Sequence, residues 1–130
     1  HYVVDVIAQG LNRHKKALNG SKILLLGIAY KKDVNDIRES PALDIWGLLS
    51  RQNAEVVYHD PYVPKIHVDH QLHHSVPLTS EVMKDADAVV IVTDHSDFNY
   101  EKIVKESSLV IDTRHATKKV KNNIQKIIKI

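Results

Sequence analysis

Lys31, Lys32 and Arg38 stand beside Asp33, Asp36 and Glu39 in one short stretch, GIAYKKDVNDIRESPA, from Gly27 to Ala42. A lysine acts on phosphate as a compact point charge, and an arginine can grip it with two parallel N–H bonds. The chemistry this stretch offers is therefore anion binding. An apolar run, Ile23 to Leu26, precedes it and reads as a buried strand, and Ser40-Pro41 reads as a helix start. The connection between them is about eleven residues, longer than a minimal strand-to-helix crossing and of a length usually reserved for function. In open α/β sheets ligands collect beyond the carboxyl ends of strands, and a helix N-terminus favours anions. A phosphate-bearing ligand is expected at this loop. Arg114 follows the run Leu109 to Asp112 directly, at another strand end, where it could meet Lys31 across one crevice or simply pair with Asp112.

Other chemistries fit less well. A dinucleotide fingerprint, G-x-G-x-x-G, uses glycines so that the backbone can approach a pyrophosphate. The register here reads Gly27-Ile28-Ala29-Tyr30-Lys31-Lys32, with only the first glycine in place. Asp60 ends the second predicted strand, where a ribose-binding acid would lie, but a lone acid is weak support for an independent NAD site. His67, Asp69, His70, His73 and His74 raise a metal reading. A zinc site needs three or four convergent ligands, and the segment lacks helical periodicity, so a polar surface loop is the expectation and no metal site is assigned. His95, flanked by Asp94 and Ser96, invites a hydrolase reading, yet a triad is assembled in space and no strained nucleophile turn is visible. No catalytic residue is assigned within this chain. Trp46 reads as core.

The 130 residues suit one domain. The absence of cysteine excludes, within this chain, a disulfide framework, a thiolate zinc site and a cysteine nucleophile. A formal net charge of +2, with both signs interspersed, does not point to nucleic acid or an anionic membrane. No apolar run is long enough for a membrane span. The chain opens on His1 rather than Met and is read as part of something longer.

The pattern of elements supports these placements. Val3, Val4, Ile7, Leu11 and Leu18 recur at helical spacing, predicting a helix from residue 2 to about 18, stopped by Asn19-Gly20. Lys22 to Ile28 predicts the first strand, Pro41 to Arg51 a helix, and Glu55 to His59 the second strand. Residues 62 to 78 read as irregular and 79 to 85 as a short helix. Asp87 to Thr93 predicts a strand, 99 to 106 a helix and Leu109 to Asp112 another strand. In the tail, Ile124, Ile127 and Ile128 stand at helical spacing among lysines. Strands alternating with helices predict an α/β fold: a Rossmann-like, doubly wound parallel sheet with helices on both faces. Residues 1–19 read as the end of a connecting helix from a preceding domain, and 20–130 as the binding domain.

The loop GIAYKKDVNDIRESPA closely resembles the C-terminal domain of the UDP-glucose/GDP-mannose dehydrogenase family, whose loop runs approximately G-x-A-[FY]-K-x-x-x-x-D-x-R-E-S-P-A. VVYHDPYVP (56–64), DAVVIVTDHSDF (87–98) and VIDTR (110–114) continue the resemblance in the same order. The details look most like UDP-N-acetylglucosamine or UDP-N-acetylmannosamine 6-dehydrogenases. The resemblance implies a cytoplasmic enzyme that oxidises the C6 alcohol of a UDP-sugar to a carboxylate with NAD used twice, supplying polysaccharide biosynthesis. It implies that NAD and the catalytic cysteine belong to an N-terminal part of the same polypeptide, that this domain holds the UDP-sugar, and that the complete enzyme is a homo-oligomer. By motif, Tyr30 and Lys31 would contact the UDP ribose and phosphates, Arg114 would reach the nucleotide-sugar from across the crevice, and Arg38 would face the cofactor. His115 departs from the pattern, which often has asparagine there. The rival from another class is a non-catalytic interaction module, dimerising through an exposed face of the first helix that carries Val3, Ile7 and Leu11.

Overall fold

The computed structural model describes residues 1–130. Five parallel strands form the sheet in the order β2-β1-β5-β6-β7: β1 (Lys22–Leu26), β2 (Glu55–His59), β5 (Ala88–Ile91), β6 (Val110–Asp112) and β7 (Ile127–Lys129). The chain begins at β1, runs outward to β2, then returns to the other side of β1 for β5, β6 and β7. This is the doubly wound order whose switch point lies between the first strand and its neighbour on the return side, here between β1 and β5.

Burial on both faces explains why the central strands read as unbroken apolar runs. Ile23 and Leu25 face one core with Ala88, Val90 and Ile111, under α1 (Tyr2–Arg13) and α2 (Pro41–Arg51). Leu24 and Leu26 face the other with Val89, Ile91 and Val110, under α3 (Ser80–Asp85) and α4 (Tyr100–Glu106). Ser40 caps α2 as its sequence predicts: its Oγ accepts from the Ala42 amide at 3.2 Å and donates to the Ile28 carbonyl at 2.7 Å, with Pro41 in the first turn.

Five expectations are corrected. α1 ends at Arg13, not near Leu18. Lys15, at φ 60, turns the chain, and Leu18 is buried from a non-helical stretch. The face of α1 expected to be exposed is packed: Ile7 and Leu11 are fully buried, and Gly10 sits against Ile128, Leu109 and Ile111 so closely that a methyl there would lie 2.9 Å from Ile128 Cδ1. Residues 62 to 78 are not wholly irregular. They contain an antiparallel hairpin, β3 (Lys65–Val68) with β4 (Gln71–His74). Asp69 and His70, both at positive φ, make its turn, as primed hairpin turns require. The tail is a 3₁₀ turn (Ile124–Lys126) followed by edge strand β7, which pairs with β6. Ile128 packs towards α1 and Ile127 towards the opposite core, an alternation of period two. Strand limits are also tighter than predicted: β1 ends at Leu26, and β5 spans Ala88–Ile91 rather than Asp87–Thr93.

Candidate functional site

The carboxyl ends of β1, β5 and β6 open onto one crevice, and three buried polar anchors shape it. At the β1 end, Gly27 has φ 86. A Cβ there would lie 2.4 Å from Thr93 Cβ and under 3 Å from the Thr93 backbone. Thr93 in turn donates through Oγ1 to the Ala29 carbonyl at 2.7 Å. At the β2 end, the fully buried Asp60 carboxylate accepts from the amides of Ile28 (2.7 Å), Ala29 (3.0 Å) and Tyr62 (2.8 Å), and meets His95 Nε2 at 2.9 Å. At the β6 end, the fully buried Asp112 carboxylate accepts from the amides of Arg114, Ala116 and Thr117 and from the Thr117 hydroxyl. Burial alone would raise the Asp112 pKa. Those hydrogen bonds outweigh it and hold the carboxyl below its ordinary value. The turn so formed carries His115 at φ 56.

A hollow of about 400 Å³ lies in the crevice, lined by Lys32, Arg114, Lys118, Lys119, Asp94 and His115 among others. Arg114 Nε donates to the Val92 carbonyl at 2.9 Å, which fixes the side chain along β5 and leaves the outer guanidinium nitrogens unused within the chain. Neither Arg114 nor the three lysines forms an ion pair. Four permanent cations thus surround a hollow that offers one carboxylate, Asp94.

The predicted site residues divide between two places. Arg114 lines the hollow. Lys31, expected opposite it, does not; Lys32 occupies that position. Lys31 is exposed and lies towards Asp36. Tyr30, 45% exposed, shares a second recess of about 320 Å³ with Asp36, Arg38 and Glu39. There Arg38 grips Asp36 with two bonds, Nε to Oδ1 at 3.1 Å and Nη2 to Oδ2 at 2.9 Å. That grip, and secondarily the positive charge of Arg38 and Lys31, lowers the Asp36 carboxyl to about 2. The residues a dinucleotide site would use are engaged elsewhere: Gly27 is closed over by Thr93, and Asp60 is sealed behind the loop. These contacts do not fit a nicotinamide dinucleotide. The hairpin histidines do not converge with other ligands into a metal site, and His73 packs at a tilt against buried Trp46, the ring centroids 4.8 Å apart. Lys118 and Lys119 escaped the sequence reading because they sit in a tail that resembled a helix. His95 was visible only as a neighbour of Asp94 and Ser96.

A parallel sheet with an anion-seeking crevice at its switch point defines a nucleotide-binding α/β domain. Residues 24–119 match the UDP-glucose/GDP-mannose dehydrogenase family, UDP binding domain, and the chain belongs to that family. It is 33% identical over 97 residues to the UDP-N-acetyl-D-mannosamine dehydrogenase of Campylobacter jejuni, covering 72% of this chain and 24% of that protein. The structure of UDP-D-ManNAc dehydrogenase from Pyrococcus horikoshii superposes with a TM-score of 0.75 at 28% identity, over 98% of this chain and 29% of that one. NDP-N-acetyl-D-galactosaminuronic acid dehydrogenase from Methanosarcina mazei gives 0.77 at 26% identity, over 99% and 28%. The chain thus spans about a quarter of the length of these dehydrogenases.

Proposed function

We propose that this chain is the nucleotide-sugar half of an NAD-dependent dehydrogenase that oxidises the C6 alcohol of a UDP-hexose, N-acetylated as in the relatives, to the uronate. The carrying observation is the hollow at the switch point, where Lys32, Arg114, Lys118 and Lys119 have no partner in the chain. A diphosphate supplies the missing negative charge. Tyr30 and Lys31, on the same loop, reach the ribose and the phosphate flank, and Arg114 holds the nucleotide from the opposite side. Residues 1–19, helical over Tyr2–Arg13, lead in from a preceding domain, and residues 20–130 form the binding domain. Oxidation from alcohol to carboxylate removes four electrons, two for each NAD. NAD and the attacking thiol belong to the remainder of the polypeptide, in a homo-oligomeric enzyme, and Arg38 is exposed for contact with that cofactor. The domain's part is to bind, orient the sugar and help exclude water.

Titration calorimetry with UDP tests this reading. Arg114→Ala should weaken binding about ten- to a hundredfold, the worth of a charged hydrogen bond, and Lys31→Ala and Lys32→Ala should each weaken it less. Unchanged affinity in Arg114→Ala removes the crevice from the site.

A further inference from the structure

His95 is fully buried in the wall of the hollow, and the binding reading gives it no contact with the ligand. Its two ring nitrogens face different elements. Nδ1 lies 2.7 Å from the Asp33 amide and must accept from it, because a backbone N–H can only donate. Nε2 lies 2.9 Å from Asp60 Oδ2 and must donate to it. The imidazole is therefore the neutral tautomer with its proton on Nε2. The rings of Tyr62 (4.8 Å) and Phe98 (5.6 Å) flank it, and the Tyr100 hydroxyl donates to its carbonyl at 3.1 Å. Next in sequence, Ser96 donates through its amide (2.9 Å) and its hydroxyl (2.6 Å) to the Asp33 carboxylate. Those two bonds hold the Asp33 carboxyl below its ordinary value. Asp33 itself stands at φ 61 in the middle of the cationic loop, directly after Lys31 and Lys32.

We propose that His95 is the positioning residue of this loop: a neutral imidazole that ties Asp33 to Asp60 and so sets where Lys31 and Lys32 stand relative to Arg114. As a role in ligand binding, this rests on the reading of the crevice as a nucleotide-sugar site. Histidine suits the place: it carries an acceptor and a donor on separate edges of one rigid ring, and here each edge has its partner. The segment after β5 thus ties the first loop and Arg114 together: Thr93 holds Ala29, His95 and Ser96 hold Asp33, and the Val92 carbonyl holds Arg114.

The test is nitrogen NMR and amide exchange on the protein, with UDP titrations alongside. A scalar coupling across the hydrogen bond between the Asp33 amide nitrogen and His95 Nδ1 is expected in the unaltered protein, and its absence overturns the proposal. In His95→Gln, amides of residues 30–38 should exchange about tenfold faster while those of β1 and β5 are unchanged, and UDP affinity should fall about tenfold. Equal acceleration of loop and strands would make His95 an ordinary core residue and overturn it. Should His95→Gln not fold, the unaltered protein decides: the Asp33 amide, held by buried His95, must exchange more slowly than the exposed loop amides beside it, and an Asp33 amide that exchanges as fast as they do overturns the proposal. If Arg114→Ala weakens UDP and a freed loop does not, the positioning role falls. If the loop is freed and no variant, Arg114→Ala included, alters UDP affinity, the nucleotide reading falls and the His95 latch stands.

Discussion

Asp36 and Arg38 show what a single pair on this surface does. Both are open to solvent, so their bond directs the loop more than it stabilises the fold. The pair lowers Asp36 to about 2 from an ordinary carboxyl value of 3.8. A depressed folded-state value means that the contribution is complete above the unfolded value and is lost as pH falls towards the folded one. The Asp36 carboxyl resonance, followed by carbon NMR, should therefore titrate with a midpoint near 2, and Arg38→Ala should return it towards 3.8. Gly27 and Asp112 make the same point for buried positions. Gly27→Ala puts a methyl into the Thr93 backbone and should cost about 2 kcal/mol or more. Asp112→Ala strands four donors and should cost about 2–4 kcal/mol. Denaturant titration reads both. Neither role was legible beforehand, since a glycine before a loop and an acid at a strand end look alike whether they serve a ligand or the backbone.

The elements were legible where one physical signal dominated. β1 and β5 announced themselves by unbroken apolar runs, which only a strand covered on both faces tolerates, and α2 by its Ser-Pro cap. The hairpin was hidden because its turn uses Asp69-His70 in place of the usual glycine-containing pair. β7 was hidden because short isoleucine-rich tails satisfy helix and strand spacing equally. The apolar spacing of α1 marks a helix, but an amphipathic face does not say what covers it. Ile7, fully buried against the sheet, gives the check: Ile7→Ala should destabilise the protein by about 2–5 kcal/mol, read by chemical unfolding. A free dimerisation face would leave monomer stability almost unaltered.

For the whole molecule, the distribution of charge matters more than its sum. A net charge of +2 conceals a crevice where four cations gather around one carboxylate. UDP binding should therefore weaken with salt. Raising ionic strength from about 0.05 to about 0.3 M shortens the screening length below about 6 Å and should reduce affinity several-fold in calorimetry. An equal response in Lys118→Ala/Lys119→Ala would show that these lysines do not contribute to the field.

The order of strands and helices, the caps, the apolar cores and the family motif around Lys31 are local patterns, so the sequence by itself determined the α/β class and the kind of ligand to expect. Which lysine meets Arg114, which acid is sealed behind the loop, and which histidine holds it were decided only by the tertiary structure. Those facts depend on Asp33, Asp60 and His95 coming together at the switch point from distant parts of the chain, and no spacing along a sequence records the direction in which a side chain leaves a long irregular loop.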